Sequence, residues 1–223
     1  MILAAGRGER MRPLTDTVPK PLLEAGGRSL IARHIDALVG AGITDIVINH
    51  AWLGARIEAA LGDGSPFRAR IRYSPEASAL ETAGGIATAL PLLGDAPFVV
   101  VNGDIFCDFD FRRVPGIVAR MRDADLLAWC ILVANPAHNP EGDFGIDGER
   151  LLADATRKLT FAGIGVYAPA LFADIAPGTR APLAPLLRAA ARQGRAGAGI
   201  HAGRWTDVGT PARLAELDAQ LRA

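Results

Sequence analysis

The sequence predicts an α/β protein built on a central, mostly parallel β-sheet with helices on both faces. Three observations carry this reading. Through the first half of the chain, short β-branched or apolar runs alternate with segments of helical periodicity. The run from Pro97 to Asp104, PFVVVNGD, is continuously apolar until it ends in Asn-Gly-Asp, as a strand covered on both faces must be. The first run, Ile2-Leu3-Ala4-Ala5, passes directly into a loop of glycines and cations. In such sheets ligands gather at the carboxyl ends of strands, which places the loops after Ala4, Asn49, Ser74 and Val101 along one edge.

The loop Gly6-Arg7-Gly8-Glu9-Arg10 follows the first strand. Glycines let backbone N–H groups approach an anion closely, successive N–H groups form a concave anion site, and arginine adds bidentate donors suited to phosphate. The dinucleotide fingerprint fails for want of a third glycine, and nearby prolines argue against a helix here; the Walker loop fails for want of Gly-Lys-Ser/Thr. Lys20 stands out next. Of 24 basic residues only Lys20 and Lys158 are lysine, so a position needing bare surface charge would be arginine. Pro19 and Pro21 stiffen the backbone on either side, and a compact ammonium held there suits a phosphate oxygen during a reaction.

The periodicity predicts a helix over Arg28 to Ala41 capped by Ser29, a buried strand over Ile43 to Asn49, and a helix over about Ala55 to Leu61. A short strand at Arg70 to Ser74 leads to Pro75-Glu76 and then to Leu80-Glu81-Thr82-Ala83-Gly84-Gly85, small residues ahead of a helix over about Ile86 to Leu92. The central strand then delivers Asp104 to the ligand edge. A carboxylate opposite a polyphosphate loop is a natural ligand for Mg²⁺, a hard, oxygen-seeking cation. Asp108 and Asp110 read as turn or cap residues before a helix over Arg112 to Met121. In the second half, Asp125 to Ala134 and Thr160 to Tyr167 read as strands, with an Asp147-Gly148 hairpin between them. Helices follow over about Leu183 to Gln193 and Pro211 to Leu221, the second capped by Thr210.

Composition bounds the function. A chain of 223 residues buries one sizeable core, and one domain spanning 1–223 is expected. Zero net charge gives no reason to expect a nucleic acid or an anionic membrane as partner. The longest apolar run, Leu126 to Ala134, is too short to span a bilayer, and the chain opens on a strand without a basic leader, which favours the cytoplasm. Cys107 and Cys130 lack metal or redox spacing and read as reduced structural thiols.

The stretch LAAGRGERMRPLT followed by PKPLL resembles the signature of the sugar-1-phosphate nucleotidyltransferases, the nucleotide-sugar pyrophosphorylases. Every fixed position of L-A-A-G-x-G-x-R-[LM]-x-P-L-T and P-K-P is matched, and the resemblance continues nearly to the end of the chain. It implies a three-layer α/β/α Rossmann-like fold whose half at about 1–110 binds the nucleotide and whose half at about 111–223 binds the sugar phosphate. It implies nucleotide contacts at Leu3, Ala4, Ala5, Gly6, Gly8, Arg10, Glu76, Thr82 and Gly84, with Arg10 and Lys20 as catalytic residues. Sugar-phosphate contacts would fall at Asn102, Gly145, Gly163 and Lys158. Asp104, and Asp207 in Trp205-Thr206-Asp207-Val208-Gly209-Thr210, would hold Mg²⁺. Two departures stand out. Glu81 occupies a place where many relatives carry glycine, and a Glu-Lys-Pro segment of relatives is replaced by Arg157-Lys158.

Within that family the segments INHAWLG, YSPE, LET-x-GGI and WTDVGTP are most similar to short bacterial enzymes that transfer uridylyl from UTP to N-acetylmuramic acid 1-phosphate in cell-wall sugar recycling. The expected partners are therefore a nucleoside triphosphate and a sugar 1-phosphate, with the chain a monomer or small homo-oligomer. Guanylyl transfer to mannose 1-phosphate, thymidylyl or uridylyl transfer to glucose 1-phosphate, and cytidylyl transfer to a phosphocholine-like acceptor remain open. So does a non-catalytic nucleotide-sugar sensor, although such a protein should have lost some of Arg10, Lys20, Asp104 or Asp207. Base and sugar are not derivable from the residues, because a pocket discriminates one methyl by only about 1–3 kcal/mol.

Overall fold

The computed structural model describes all 223 residues. Strand β1 (Ile2–Ala4) leads into the glycine-cation loop, a single helical turn α1 (Leu14–Thr17), and a small hairpin of β2 (Glu24–Ala25) and β3 (Arg28–Ser29). Then come α2 (Leu30–Gly40), β4 (Asp45–His50), α3 (Gly54–Leu61), β5 (Arg70–Pro75), α4 (Glu81–Leu93) and β6 (Phe98–Asn102). The second half contributes β7 (Ile105–Cys107), α5 (Val114–Asp123), β8 (Ala128–Val133), the hairpin β9 (Gly145–Asp147) and β10 (Arg150–Leu152), and β11 (Thr160–Tyr167). It closes with α6 (Leu183–Arg192), β12 (Ala196–Ile200), β13 (Trp205–Asp207) and α7 (Pro211–Arg222).

One nine-stranded sheet runs through both halves in the order β5-β4-β1-β6-β11-β8-β12-β10-β9. Strands β5, β4, β1, β6, β8 and β12 run the same way, and β11 is reversed between β6 and β8. The mixed, mostly parallel sheet is as expected. Each face carries its own apolar layer. Ile31, Ile35 and Leu38 of α2, Ile57 of α3 and Met121 of α5 cover one face. Ala83 and Ile86 of α4 and Leu187 and Ala190 of α6 cover the other. A third cluster of Met11, Leu23, Leu30, Val208 and Leu217 pins the first loop to α7.

Ser29 caps α2, its hydroxyl accepting from the Ala32 amide, and Thr210 caps α7 by accepting from the Arg213 amide. The differences from expectation are local. Prolines near the first loop still admit the one-turn helix α1, and α4 starts at Glu81 rather than near Ile86. Strands β7, β12 and β13 carry no strong strand signal, yet β7 and β13 form an antiparallel ribbon beside the sheet. Both cysteines are free, and burial pushes the Cys107 thiol up to about 12. No helix is long and apolar enough to cross a membrane.

Candidate active site

The carboxyl ends of β1, β4 and β6 open into a cleft of three joined cavities. The first, about 200 Å³, is lined by Leu3, Ala4, Ala5 and Gly6 from β1 and its loop, Lys20, Asn49, Thr82, Asn102 and Asp104. The second, about 300 Å³, is bounded by Arg10, Asn102, Asp104, His138, Gly163 and Asp207. The third, about 390 Å³, lies between Thr82, Asn102, Asp143, Phe144, Phe161 and α6. Asn102 belongs to all three walls.

The phosphate-suited loop is built as expected. The backbone N–H groups of Gly6, Arg7 and Gly8 make no hydrogen bond within the protein, and Gly6 lines the first cavity. Gly8 has φ +68, and a Cβ there would meet the Lys20 Cβ at 3.2 Å, so glycine both permits the bend and lets the loop lie on the lysine stem. The two arginines of the loop divide. Arg7 stacks on Trp52, 3.6 Å from the ring centroid, and bonds the Thr15 carbonyl and Asp16. Arg10 is exposed and lines the second cavity.

Lys20 is buried, and its ammonium donates to Asp104 Oδ2 at 2.6 Å. Asp104 is joined to Asp207 through the ribbon, where Ile105 pairs with Asp207 and the Val208 amide donates to the Asp104 carbonyl. Asp207 Oδ2 accepts from Arg213 Nη1 at 2.6 Å, and His138 Nε2 lies 3.3 Å away. Asp104 and Asp207 line the second cavity together, with Lys20 and Arg213 as their partners within the protein, and a pair of carboxylates is a donor set that fits a hard divalent cation. Gly163 has φ +75 within an irregularity of β11, and a Cβ there would lie 2.7 Å from Asn102 Nδ2. Glycine is what lets Asn102 keep its central place.

The structure thus brings Leu3, Ala4, Ala5, Gly6, Arg10, Lys20, Thr82, Asn102, Asp104, Gly163 and Asp207 to one cleft. Five other expected residues stand behind its walls. Gly8 shapes the loop. Glu76 is buried, its carboxylate accepting from Asn49 Nδ2 at 2.6 Å and from the Leu80 amide at 2.9 Å. Gly84 packs where a Cβ would strike the Thr179 carbonyl, and the Ala83 and Gly84 amides already donate to Ala181. Gly145 is packed against Ala155 and Leu152. Lys158 sits at the foot of β11, where its carbonyl accepts from Asn135 Nδ2.

A protein-family model described as nucleotidyl transferase matches residues 1–147. The chain belongs to that family. Two curated nucleotidyltransferases align over nearly all of this chain. One, from Neisseria meningitidis serogroup B, is 53% identical over 98% of this chain and 96% of its own length, and is named N-acetylmuramate alpha-1-phosphate uridylyltransferase. A protein of the same name from Caulobacter vibrioides is 33% identical over 99% of this chain and 96% of its own. A mannose-1-phosphate guanyltransferase from Aspergillus fumigatus is 42% identical, but over only 51% of this chain and 32% of its own length. Among solved structures, a Bacillus anthracis protein described as a glucose-1-phosphate thymidylyltransferase superposes with a TM-score of 0.86 at 23% identity, over 99% of this chain and 94% of that one. HddC from Yersinia pseudotuberculosis follows with a TM-score of 0.78 at 19% identity, over 98% and 97%. At those identities the likeness establishes the fold.

Sequence reasoning missed several nucleotidyltransferase wall residues. Asn49 holds the Ala4 amide through Oδ1 and so fixes the end of β1; its only signal was a polar residue ending an apolar strand. His138 and Arg213 converge on Asp207 from a loop and from α7, with nothing in their local sequence to announce it.

Proposed function

We propose that this nucleotidyltransferase transfers uridylyl from UTP to N-acetylmuramic acid 1-phosphate, giving the UDP-sugar and pyrophosphate. Near-full-length identity of 53% to a protein named for that reaction supports the pair of substrates. The observation that carries the chemistry is one cleft lined by Gly6 of the loop, whose amide makes no bond within the protein, a buried lysine and two carboxylates.

A phosphate oxygen of the acceptor attacks the α-phosphorus of the nucleotide in line. The bond from that phosphorus to the bridging oxygen breaks, and pyrophosphate leaves with the electron pair. The attacking oxygen is already anionic, so no general base or covalent enzyme intermediate is required, and catalysis is positioning plus charge neutralisation. The Gly6, Arg7 and Gly8 amides and the Arg10 guanidinium hold the departing phosphates. Lys20, released from Asp104, bridges the α-phosphate and the incoming phosphate. The backbone from Leu3 to Ala5 and Thr82 border the nucleoside, with Gly8, Glu76 and Gly84 shaping that wall from behind. Asn102 and Gly163 border the acceptor, with Gly145 and Lys158 supporting the hairpin side. Asp104 and Asp207 are the residues that would hold Mg²⁺, which when bound screens the repulsion between the two anions.

The division of labour follows the chain, nucleotide on residues 1–110 and acceptor on 111–223. The reaction belongs with recovery of cell-wall sugars in the cytoplasm, without nucleic-acid or membrane partners. Pyrophosphate release tests the reading, with Mg²⁺ and UTP, in the presence and absence of N-acetylmuramic acid 1-phosphate. Release that depends on the sugar is expected. Release only with another nucleotide or sugar phosphate would overturn the substrate assignment, and silence with every pair would overturn the activity.

A further inference from the structure

The third cavity of the cleft carries a cation for which the transfer chemistry has no use. Helix α6 turns Leu183, Leu187, Ala190 and Ala191 into the core, and the neighbouring position, Arg188, comes out half-buried on the cavity wall. Its guanidinium lies 5.1 Å from the Phe144 ring centroid. Only Nη1 has protein partners, the carbonyls of Asp143 and Ala153, at the long distances of 3.5 and 3.3 Å. A guanidinium has five N–H donors in a planar fork, so the side that could take a carboxylate bidentately is open.

The charges around it are otherwise compensated. Asp143 is the exception: its Oδ2 accepts from the neutral Phe161 amide at 2.8 Å and Asn139 Nδ2 at 3.2 Å, and its carboxylate pairs with no cation. Glu81 is paired with Arg180 at 2.7 Å. Lys20 is held by Asp104 and Arg213 by Asp207. Arg188 is the one cationic residue in this cavity's wall and pairs with no carboxylate there. The rest of the wall includes Phe144, Phe161, Leu183 and Leu187, apolar surface suited to a sugar face or a methyl group. The cavity joins the catalytic cleft through Thr82, Asn102 and Phe161, so an acceptor with its phosphate toward Lys20 can extend a substituent into it.

We propose that Arg188 forms a carboxylate subsite at the acceptor end of the cleft and selects a sugar 1-phosphate carrying an acidic substituent over its neutral counterpart. This rests on the acceptor reading above and deepens it, since muramic acid differs from glucosamine by an ether-linked lactic acid. The guanidinium takes the carboxylate, and the aromatic and leucine wall takes the lactyl methyl.

The test compares wild type, Arg188→Gln and Arg188→Lys with N-acetylmuramic acid 1-phosphate and N-acetylglucosamine 1-phosphate, with UTP as donor. Within each protein the readout is the ratio of kcat/KM for the acidic sugar to that for the neutral one, with calorimetric binding of each sugar phosphate measured alongside. The ratio should fall by about 10- to 100-fold in Arg188→Gln, as loss of a charge-assisted pair implies, and by less in Arg188→Lys, which keeps charge but not the fork. An unchanged ratio in Arg188→Gln overturns the subsite. Wild-type protein that turns over neither sugar overturns the acceptor reading instead. In that event the binding data decide the subsite: preference for the acidic sugar lost in Arg188→Gln upholds it, and equal preference in both proteins overturns it.

Discussion

Lys20 combines burial, charge and a partner, Asp104, that the proposed reaction would exchange for phosphate. It is only 7% exposed, and a buried ammonium is tolerated because Asp104 sits 2.6 Å away. Asp104 is partly open to the cleft, so a phosphate oxygen can replace it at the lysine without leaving either charge buried and unpaired. Removing the ammonium should cost transition-state stabilisation of the size seen for other preorganised donors. Lys20→Met is expected to lower kcat by about 100- to 1000-fold, read at saturating substrates. Lys20→Arg should not restore it, because the Gly8 backbone packs against the lysine stem and leaves no room to aim a planar fork. A kcat within threefold of wild type in Lys20→Met would remove the lysine from the reacting phosphates. Asp104→Asn should likewise abolish turnover, and near-normal activity at saturating Mg²⁺ would remove Asp104 from the metal.

At the level of elements, the start of α4 separates two kinds of glycine. Glu81 opens this helix at φ +59, a conformation natural to glycine, and its side chain is tethered by Arg180. The backbone there favours glycine, the residue that the family resemblance leads one to expect at that place. Gly84 lies one turn on, where a Cβ would stand 2.1 Å from the Thr179 carbonyl. Gly84→Ala is therefore expected to destabilise the protein by about 1–3 kcal/mol, seen as a lower urea midpoint. Gly6 has open space around its Cβ position and lines the first cavity. Gly6→Ala should fold with an unchanged midpoint but raise the KM for the nucleotide. The reverse pattern would exchange the two roles.

The same contrast explains what the chain revealed in advance. Buried strands β4 and β6 were legible because β-branched residues fill both faces, and β11 because Ile164 and Val166 fill one face and Phe161 and Tyr167 the other. The start of α4 was not, since Gly84 and Gly85 are poor helix formers and tertiary packing on Ala181 overrides them. Strand β12, Ala-Gly-Ala-Gly-Ile, has almost no strand propensity of its own. Gly197 is required because Trp129 lies where its Cβ would be, whereas a Cβ on Gly199 would meet Trp129 only at ordinary contact distance. In the site, motif residues tied to a loop's own geometry were readable, whereas Arg213 and His138 meet Asp207 only through the closure of the fold.

For the whole molecule, His34 links the helical layer to the catalytic edge. It is fully enclosed, with Nε2 2.9 Å from the Ile105 carbonyl; that oxygen can only accept, so Nε2 carries the proton of a neutral ring. Desolvation drives its pKa down to about 4, against opposing help from the Ile105 carbonyl and the Asp104 charge. The unfolded chain protonates this histidine near 6.5, and the folded chain does so only near 4. Between those values the unfolded state binds the extra proton, so stability rises with pH through that window and levels off above about 6.5. The full difference is on the order of 3 kcal/mol, lost progressively as pH falls from about 6.5 toward 4. Denaturant unfolding of wild type and His34→Gln at pH 7.5 and pH 5 isolates it, because glutamine keeps a donor for Ile105 but does not titrate. Wild type should lose about 2 kcal/mol more than the variant between the two pH values. Equal losses would mean that acid opens the molecule elsewhere, and that the contact between α2 and the β7 ribbon survives protonation.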